Sequence, residues 1–191
     1  MKIANKNIWL YSDPHFGHKN VIKYCNRPFK TVGEMNTQLI KNFNKVVEHD
    51  AIVFILGDFS FLNTESTKEI LKAMKGFKYL IKGNHDRKTN SFYRSIGFME
   101  VYDKPILFTY KDFTYILSHD SINTAQGNFI NIHGHTHGQT PNLPWSFDVS
   151  VENTEYKPIK LETIYNINIA NQSENYNTDL IDQVFEETEI L

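Results

Sequence analysis

Five short clusters of Asp, Asn and His, each directly behind a run of β-branched and aromatic residues, constrain this chain more than anything else in it. Asp13-Pro14-His15 follows Ile8 to Ser12, Gly57-Asp58 follows Ala51 to Leu56, and Gly83-Asn84-His85-Asp86 follows Phe77 to Ile81. Ser118-His119 and Gly134-His135-Thr136-His137 follow the later runs Phe113 to Leu117 and Phe129 to Ile132. Loops at strand ends are where ligands bind in α/β sheets, because those ends converge on one crevice. An Asp-x-His or His-x-His in an extended strand sends its two side chains to opposite faces. Both members of each pair can therefore serve one ligand only from an irregular loop, which Pro14, Gly134 and Gly138 suit. The donors comprise two Asp, one Asn and five His with no thiolate, a set suited to Mn²⁺, Fe or Zn²⁺ and poorly suited to Ca²⁺ or a zinc finger.

Between the first clusters the periodicity switches to helix. Thr31 and Glu34 are placed as a capping box before Met35, Leu39, Phe43, Val46 and Val47, and Ile70, Leu71 and Met74 mark a helix closed by Gly76. Strands alternating with helices predict a buried, largely parallel sheet. From Pro105 the pattern changes to strands with little helix between them: Ile106 to Tyr110, Phe113 to Leu117, Phe129 to Ile132, Phe147 to Val151 and Ile159 to Ile169. A second sheet packed on the first follows. With no repeat or linker, one domain is expected over residues 1–170. Residues 171–191 hold six acidic residues and no basic one, and Leu180, Ile181, Val184 and Phe185 predict a peripheral amphipathic helix there, a place for homodimer contact.

Composition narrows the partners. Lys+Arg 20 against Asp+Glu 22 gives a net charge of −2 over 191 residues, so no extended nucleic-acid surface is expected. The longest apolar run, Ala51 to Leu56, is far below a bilayer span and the first residues lack an apolar stretch, which predicts a cytoplasmic protein without membrane contact. Cys25 is the sole cysteine and is read as a packed side chain.

In their order and spacing, Asp-x-His, Gly-Asp, Gly-Asn-His-Asp, His and Gly-His-x-His, the clusters resemble the signature of the calcineurin-like metallophosphoesterase family over residues 8 to about 165. The opening Ser12-Asp-Pro-His-Phe-Gly-His-Lys-Asn20, with Asn26-Arg-Pro-Phe29 and Gly33-Glu-Met-Asn36, is similar to its small bacterial and phage members. The resemblance implies an α/β fold, a four-layer α/β/β/α sandwich of two mixed sheets flanked by helices. It also implies two divalent metal ions, Mn²⁺ first, with Fe, Zn²⁺ or Ni²⁺ as alternatives. Asp13, His15 and His137 would hold one ion, Asn84, His119 and His135 the other, and Asp58 would bridge them. His85 would touch the phosphoryl group without binding metal. Two cations about 3.5–4 Å apart can share a bridging water, lower its pKa and take up charge as it attacks phosphorus. Only a carboxylate offers anionic oxygens to both ions, while the neutral amide of Asn84 keeps the site attractive to phosphate.

The expected activity is hydrolysis of a phosphodiester or phosphomonoester in a small, nucleotide-like substrate by a metal-bridging hydroxide. Two alternatives stay open: a nuclease acting on DNA or RNA ends, and a silent binding scaffold. DNA-cutting relatives carry an added capping domain and a basic groove, and a scaffold would have lost ligands, whereas all eight matching positions are kept. Gly57-Asp-Phe-Ser60 departs from the Gly-Asp-x-x-x-Arg-Gly form of the protein phosphatases. Beyond the signature, Arg27 and Arg87 are candidate bidentate phosphate contacts, with a surface ion pair as the other reading. His18 is a candidate substrate contact or a partner that orients a ligand. Trp145 and Phe147 are core residues or a stacking surface.

Overall fold

The computed structural model describes residues 7–122, 129–139, 143 and 145–171. The first sheet is built from β1 (Ile8–Tyr11), β2 (Ile52–Ile55), β3 (Phe77–Ile81) and β4 (Glu100–Tyr102), all parallel, with β9 (Ile159–Lys160) antiparallel on the outer side of β1. Successive residues of β1 and β2 face opposite ways, and both faces are covered. Tyr11, Val53 and Ile55 point to the helices, and Ile8, Leu10, Ile52 and Phe54 to the second sheet. Burial on both sides is why these strands read as unbroken apolar runs.

The helical layer consists of α2 (Val32–Val46), α3 (Thr64–Ala73) and α4 (Asn90–Ile96), after the single turn α1 (Val21–Tyr24). Thr31 caps α2, its hydroxyl accepting from the Glu34 N–H at 3.1 Å. The Glu34 carboxylate accepts from the Lys30 N–H, one residue earlier than a strict capping box places it. Met35, Leu39 and Phe43 form the buried stripe of α2, as the spacing predicts.

The second sheet has the order β5 (Ile106–Tyr110), β6 (Phe113–Leu117), β7 (Phe129–His133), β8 (Ser146–Asp148), antiparallel at β5/β6 and parallel thereafter. Phe108, Tyr115, Leu117, Ile132 and Phe147 pack against the first sheet, which settles Phe147 as a core residue. Two mixed sheets flanked by helices are the architecture expected. No described helix covers the outer face of the second sheet, where Leu107 and Phe129 are exposed.

One element departs from expectation. Ile159 to Ile169 alternates like a strand, yet only Ile159–Lys160 pairs with β1, and residues 161–171 form a helix, α5. Leu161, Ile164 and Asn168 are its buried positions, at helical spacing, and the Ile167 and Ile169 that suggested alternation are exposed. Burial of one stripe against the inter-sheet core outweighs β-branched propensity. The acidic tail beyond residue 171 lies outside the described residues. Among the described residues no helix is long and apolar enough to cross a membrane.

This topology sends the ends of β1, β2, β3, β6 and β7 to one rim. There the two sheets are stitched together by a parallel bridge between Ser12 and Ser150, with the Val151 N–H donating to the Ser12 carbonyl at 3.1 Å.

Candidate metal centre

The paired Asp-x-His and His-x-His residues meet because the backbone turns left-handed at them. Asp13 (φ 56), His15 (φ 50), Asp58 (φ 51), His135 (φ 69) and His137 (φ 50) all lie in the region L-residues rarely adopt. Such strain persists only where surrounding bonds enforce it. Around Asp58 the enforcing group is the buried Asp86. Its Oδ2 accepts from the N–H groups of Asp58 (2.7 Å) and Gly83 (3.0 Å), and its Oδ1 from that of Phe59 (3.2 Å). Around His135 and Gly138 the enforcing groups are Asp13 Oδ2, which accepts from His135 N–H at 2.8 Å, and Asp148, which accepts from Gly138 N–H at 2.9 Å. Gly134 packs so close that an added Cβ would lie 2.1 Å from Asp13 Oδ2.

Within this frame two groups of donors face each other across Asp58. In the first, His15 Nε2 lies 3.6 Å from Asp13 Oδ1 and 3.3 Å from His137 Nε2. In the second, His119 Nε2 lies 3.0 Å from Asn84 Oδ1 and 3.1 Å from His135 Nδ1. Asp58 Oδ2 sits between them, 3.7 Å from His15 Nε2 and 3.6 Å from His119 Nε2. Asp120, which the sequence reading did not single out, stands at the edge of the second group, 3.7 Å from His135 Nδ1.

The donor chemistry fits divalent cations. The Leu56 carbonyl takes the Nδ1–H of His119 at 2.7 Å, so the Nε2 of the neutral ring bears a lone pair. Glu152 Oε1 does the same for His137 Nδ1 at 3.1 Å. These lone pairs converge on carboxylate oxygens that are themselves acceptors, and Asp13 Oδ1 is buried with no hydrogen-bond partner among the described residues. An acceptor-only cluster of N and O atoms is satisfied by a cation. Burial would raise the Asp13 carboxyl, but His15, His119 and His137 outweigh it and hold the group well below the usual carboxylate range. Burial would likewise lower His137, yet Glu152 and Asp13 raise it.

The remaining candidates separate. His85 is exposed at the mouth, its backbone N–H donating to Asp58 Oδ1 at 2.9 Å and its ring Nε2 4.0 Å from Asp58 Oδ2. His18 accepts the Val21 N–H on Nδ1 at 3.0 Å, which leaves the proton of the neutral ring on Nε2, and burial together with the His15 charge lowers its pKa. Arg87 is exposed beside the Asn84 loop. Arg27 corrects the expectation of a substrate contact. It is buried, and its guanidinium is spent on the carbonyls of Asp13 (2.7 Å) and Pro14 (2.8 Å) and on Glu152 Oε1 (2.8 Å). It clamps the Asp13-Pro14-His15 loop to the residue that orients His137. The sequence reading missed Glu152, for which no spacing rule gave a signal, and Phe61. The ring of Phe61 stacks on His15 at 5.5 Å and lies 4.9 Å from His85 and 4.4 Å from His18.

A two-sheet sandwich whose strand-end loops gather carboxylates, an amide and histidines in this way defines a metal-dependent phosphoesterase. The family model for calcineurin-like phosphoesterases matches residues 6–187, and the chain belongs to that family. Its divalent metal requirement and phosphoester hydrolysis follow from membership. An uncharacterized protein of Methanocaldococcus jannaschii is 36% identical over 173 residues, covering 85% of this chain and 91% of its own. The gene 66 protein of Mycobacterium phage L5 is 40% identical over 86 residues, 42% of this chain and 40% of its own. A crystal structure of an Aquifex aeolicus protein of unknown function superposes with a TM-score of 0.69 at 25% identity, covering 85% of this chain and 100% of that one.

Proposed function

We propose that the chain hydrolyses a phosphodiester or phosphomonoester bond in a small, nucleotide-like substrate with two divalent ions, Mn²⁺ foremost. Asp13, His15 and His137 would hold one ion, Asn84, His119 and His135 the other, and Asp58 both. The observation that supports it is the place of Asp58 Oδ2, 3.7 Å from His15 Nε2 and 3.6 Å from His119 Nε2, one carboxylate oxygen within reach of both donor groups. When bound, the two ions supply Lewis acidity toward phosphoryl oxygens and lower the pKa of a water. Everything else falls to the protein. Leu56 and Glu152 fix the tautomers that aim His119 and His137 inward. Asn84 contributes a neutral oxygen, so the site stays attractive to an anion. His85, exposed over Asp58 and matching no donor group, gives its proton to the departing oxygen, a role open to imidazole near neutral pH. His18, its ring edge-on to Phe61 and its Nε2 carrying the proton of the neutral ring, would donate to a substrate oxygen.

A screen of purified protein with Mn²⁺ on phosphodiesters and phosphomonoesters tests the reading. Turnover of at least one, lost in Asp58→Asn, is expected. His85→Ala is expected to keep its metal content and to lose about 10²–10⁴ in rate, the range for a positioned acid. Loss of metal in His85→Ala would make His85 a ligand.

A further inference from the structure

We propose that the cavity behind His85 takes a second anionic group of the substrate, which makes the substrate class a nucleotide-like molecule with a phosphate beyond the reacting one. The inference rests on the hydrolase reading above and assigns what that reading leaves open. The cavity, about 500 Å³, lies between the start of α3 and the segment leading into α4. That volume is within the range of small-molecule sites. It shares two walls with the metal centre, since His85 and Phe61 line it and also face Asp58 and His15. A molecule with its phosphoryl group against Asp58 therefore extends past His85 into this space.

The charged wall of the cavity is cationic. Arg87 and Lys88 line it and both are exposed. The Lys and Arg ion pairs among the described residues belong to Arg27, Lys82, Arg94, Lys111 and Lys157, not to these two. Arg87 gives its Nε–H to the Asn84 carbonyl at 3.3 Å, which ties the guanidinium to the ligand loop and leaves its terminal N–H groups to the cavity. Adjacent cations without a carboxylate repel one another, and a guanidinium beside an ammonium binds phosphate through several charge-assisted hydrogen bonds. At the start of α3, Asn63 spends its side-chain oxygen on the Ser66 N–H at 2.9 Å, so that oxygen places no competing acceptor on the wall. Phe61, 42% exposed, adjoins His15 and His85 of the metal centre, and Phe92 lines the same cavity with Lys88 Nζ 6.0 Å from its ring centroid, so the two apolar rings fit a flat spacer such as a base.

The test uses the Mn²⁺-loaded full chain and whichever of p-nitrophenyl phosphate and bis(p-nitrophenyl) phosphate it hydrolyses. Inhibition constants are measured against that reporter for adenosine 3′,5′-bisphosphate and for adenosine 5′-monophosphate. The bisphosphate is expected to inhibit at least about tenfold more tightly, the fold-change of a charge-assisted hydrogen bond. The ratio is expected to collapse toward one in the double variant Arg87→Ala, Lys88→Ala and to survive in part in Arg87→Lys. Both residues are exposed, so the variants fold. Equal inhibition constants in the wild type, no inhibition by either nucleotide, or a ratio that survives the double variant would each overturn the cavity assignment alone. Hydrolysis of neither reporter would overturn the hydrolase reading and the cavity assignment with it.

Discussion

Arg27 lies where the two ends of the candidate site are joined, with 0% of its side chain exposed against 10% for Glu152. Removing one partner of a buried ion pair leaves an uncompensated charge, which costs about 3–5 kcal/mol. Arg27→Ala is expected to lose about that much stability in denaturant titration, and metal affinity with it, because both the Asp13 loop and the Glu152–His137 contact depend on the guanidinium. A substrate-binding arginine would instead leave stability untouched and raise KM. Cys25 gives a second residue-scale test. Burial and then the neighbouring Glu152 push its thiol up to about 11, so alkylation at pH 8 is expected to be far slower than for an ordinary thiol and to accelerate toward pH 11. Rapid modification at pH 8 would contradict this. At this scale the sequence discloses residues whose chemistry dictates their type, such as Asp58 or His119. It hides those whose work is to hold a backbone or a ring. Asp148 and Glu152 look like any other carboxylate, Asp86 stands out only as the last residue of Gly-Asn-His-Asp without a sign that it holds backbone N–H groups, and the guanidinium of Arg27 binds carbonyls as readily as phosphate.

Among the elements, the strand-end loops combine strain and close approach. Five left-handed non-glycine residues at roughly 1–3 kcal/mol each are a sizeable cost, offset by the carboxylates that collect the loop N–H groups. Gly83 belongs to the same arrangement, since a Cβ there would meet Asp58 Oδ1 at 2.3 Å and the Asp58 nitrogen at 2.7 Å. Gly83→Ala is therefore expected to displace Asp58 and lower metal content while far-UV circular dichroism stays unchanged; full metal content in that variant would contradict the argument. The loops were legible as loops because Asp-x-His can converge only off a strand. The elements around them were legible where one signal acted alone, as with Met35, Leu39 and Phe43 in α2. Where two signals competed, the pattern misled. Residues 161–171 carry both alternation and a helical stripe, and contact with the inter-sheet core decided for the helix. The short edge strand β4, three residues long, left no run to read.

Across the whole molecule, the donors come from the ends of five strands in two sheets, between Asp13 and His137, while each sheet face has its own apolar core. The cores need no metal to form, so the metal-free chain is expected to fold and bound cations to add stability by tying the sheets at one rim. A ligand that binds only the folded state stabilises it by about 2.7 kcal/mol at a hundred times its Kd. At roughly 2–4 °C per kcal/mol for a chain of this size, each saturated site adds about 5–11 °C to the melting temperature. Stripping with chelator and adding back Mn²⁺ is expected to restore that rise in thermal melts. Elemental analysis is expected to find two ions per chain. Asp58→Asn withdraws an anionic oxygen that both donor groups face, so it should lower the count to one or fewer and reduce the rise by half or more without lowering the metal-free melting temperature. A single ion per chain in fully active protein would remove the bridging role from Asp58 and leave a mononuclear phosphoesterase centred on one of the two donor groups.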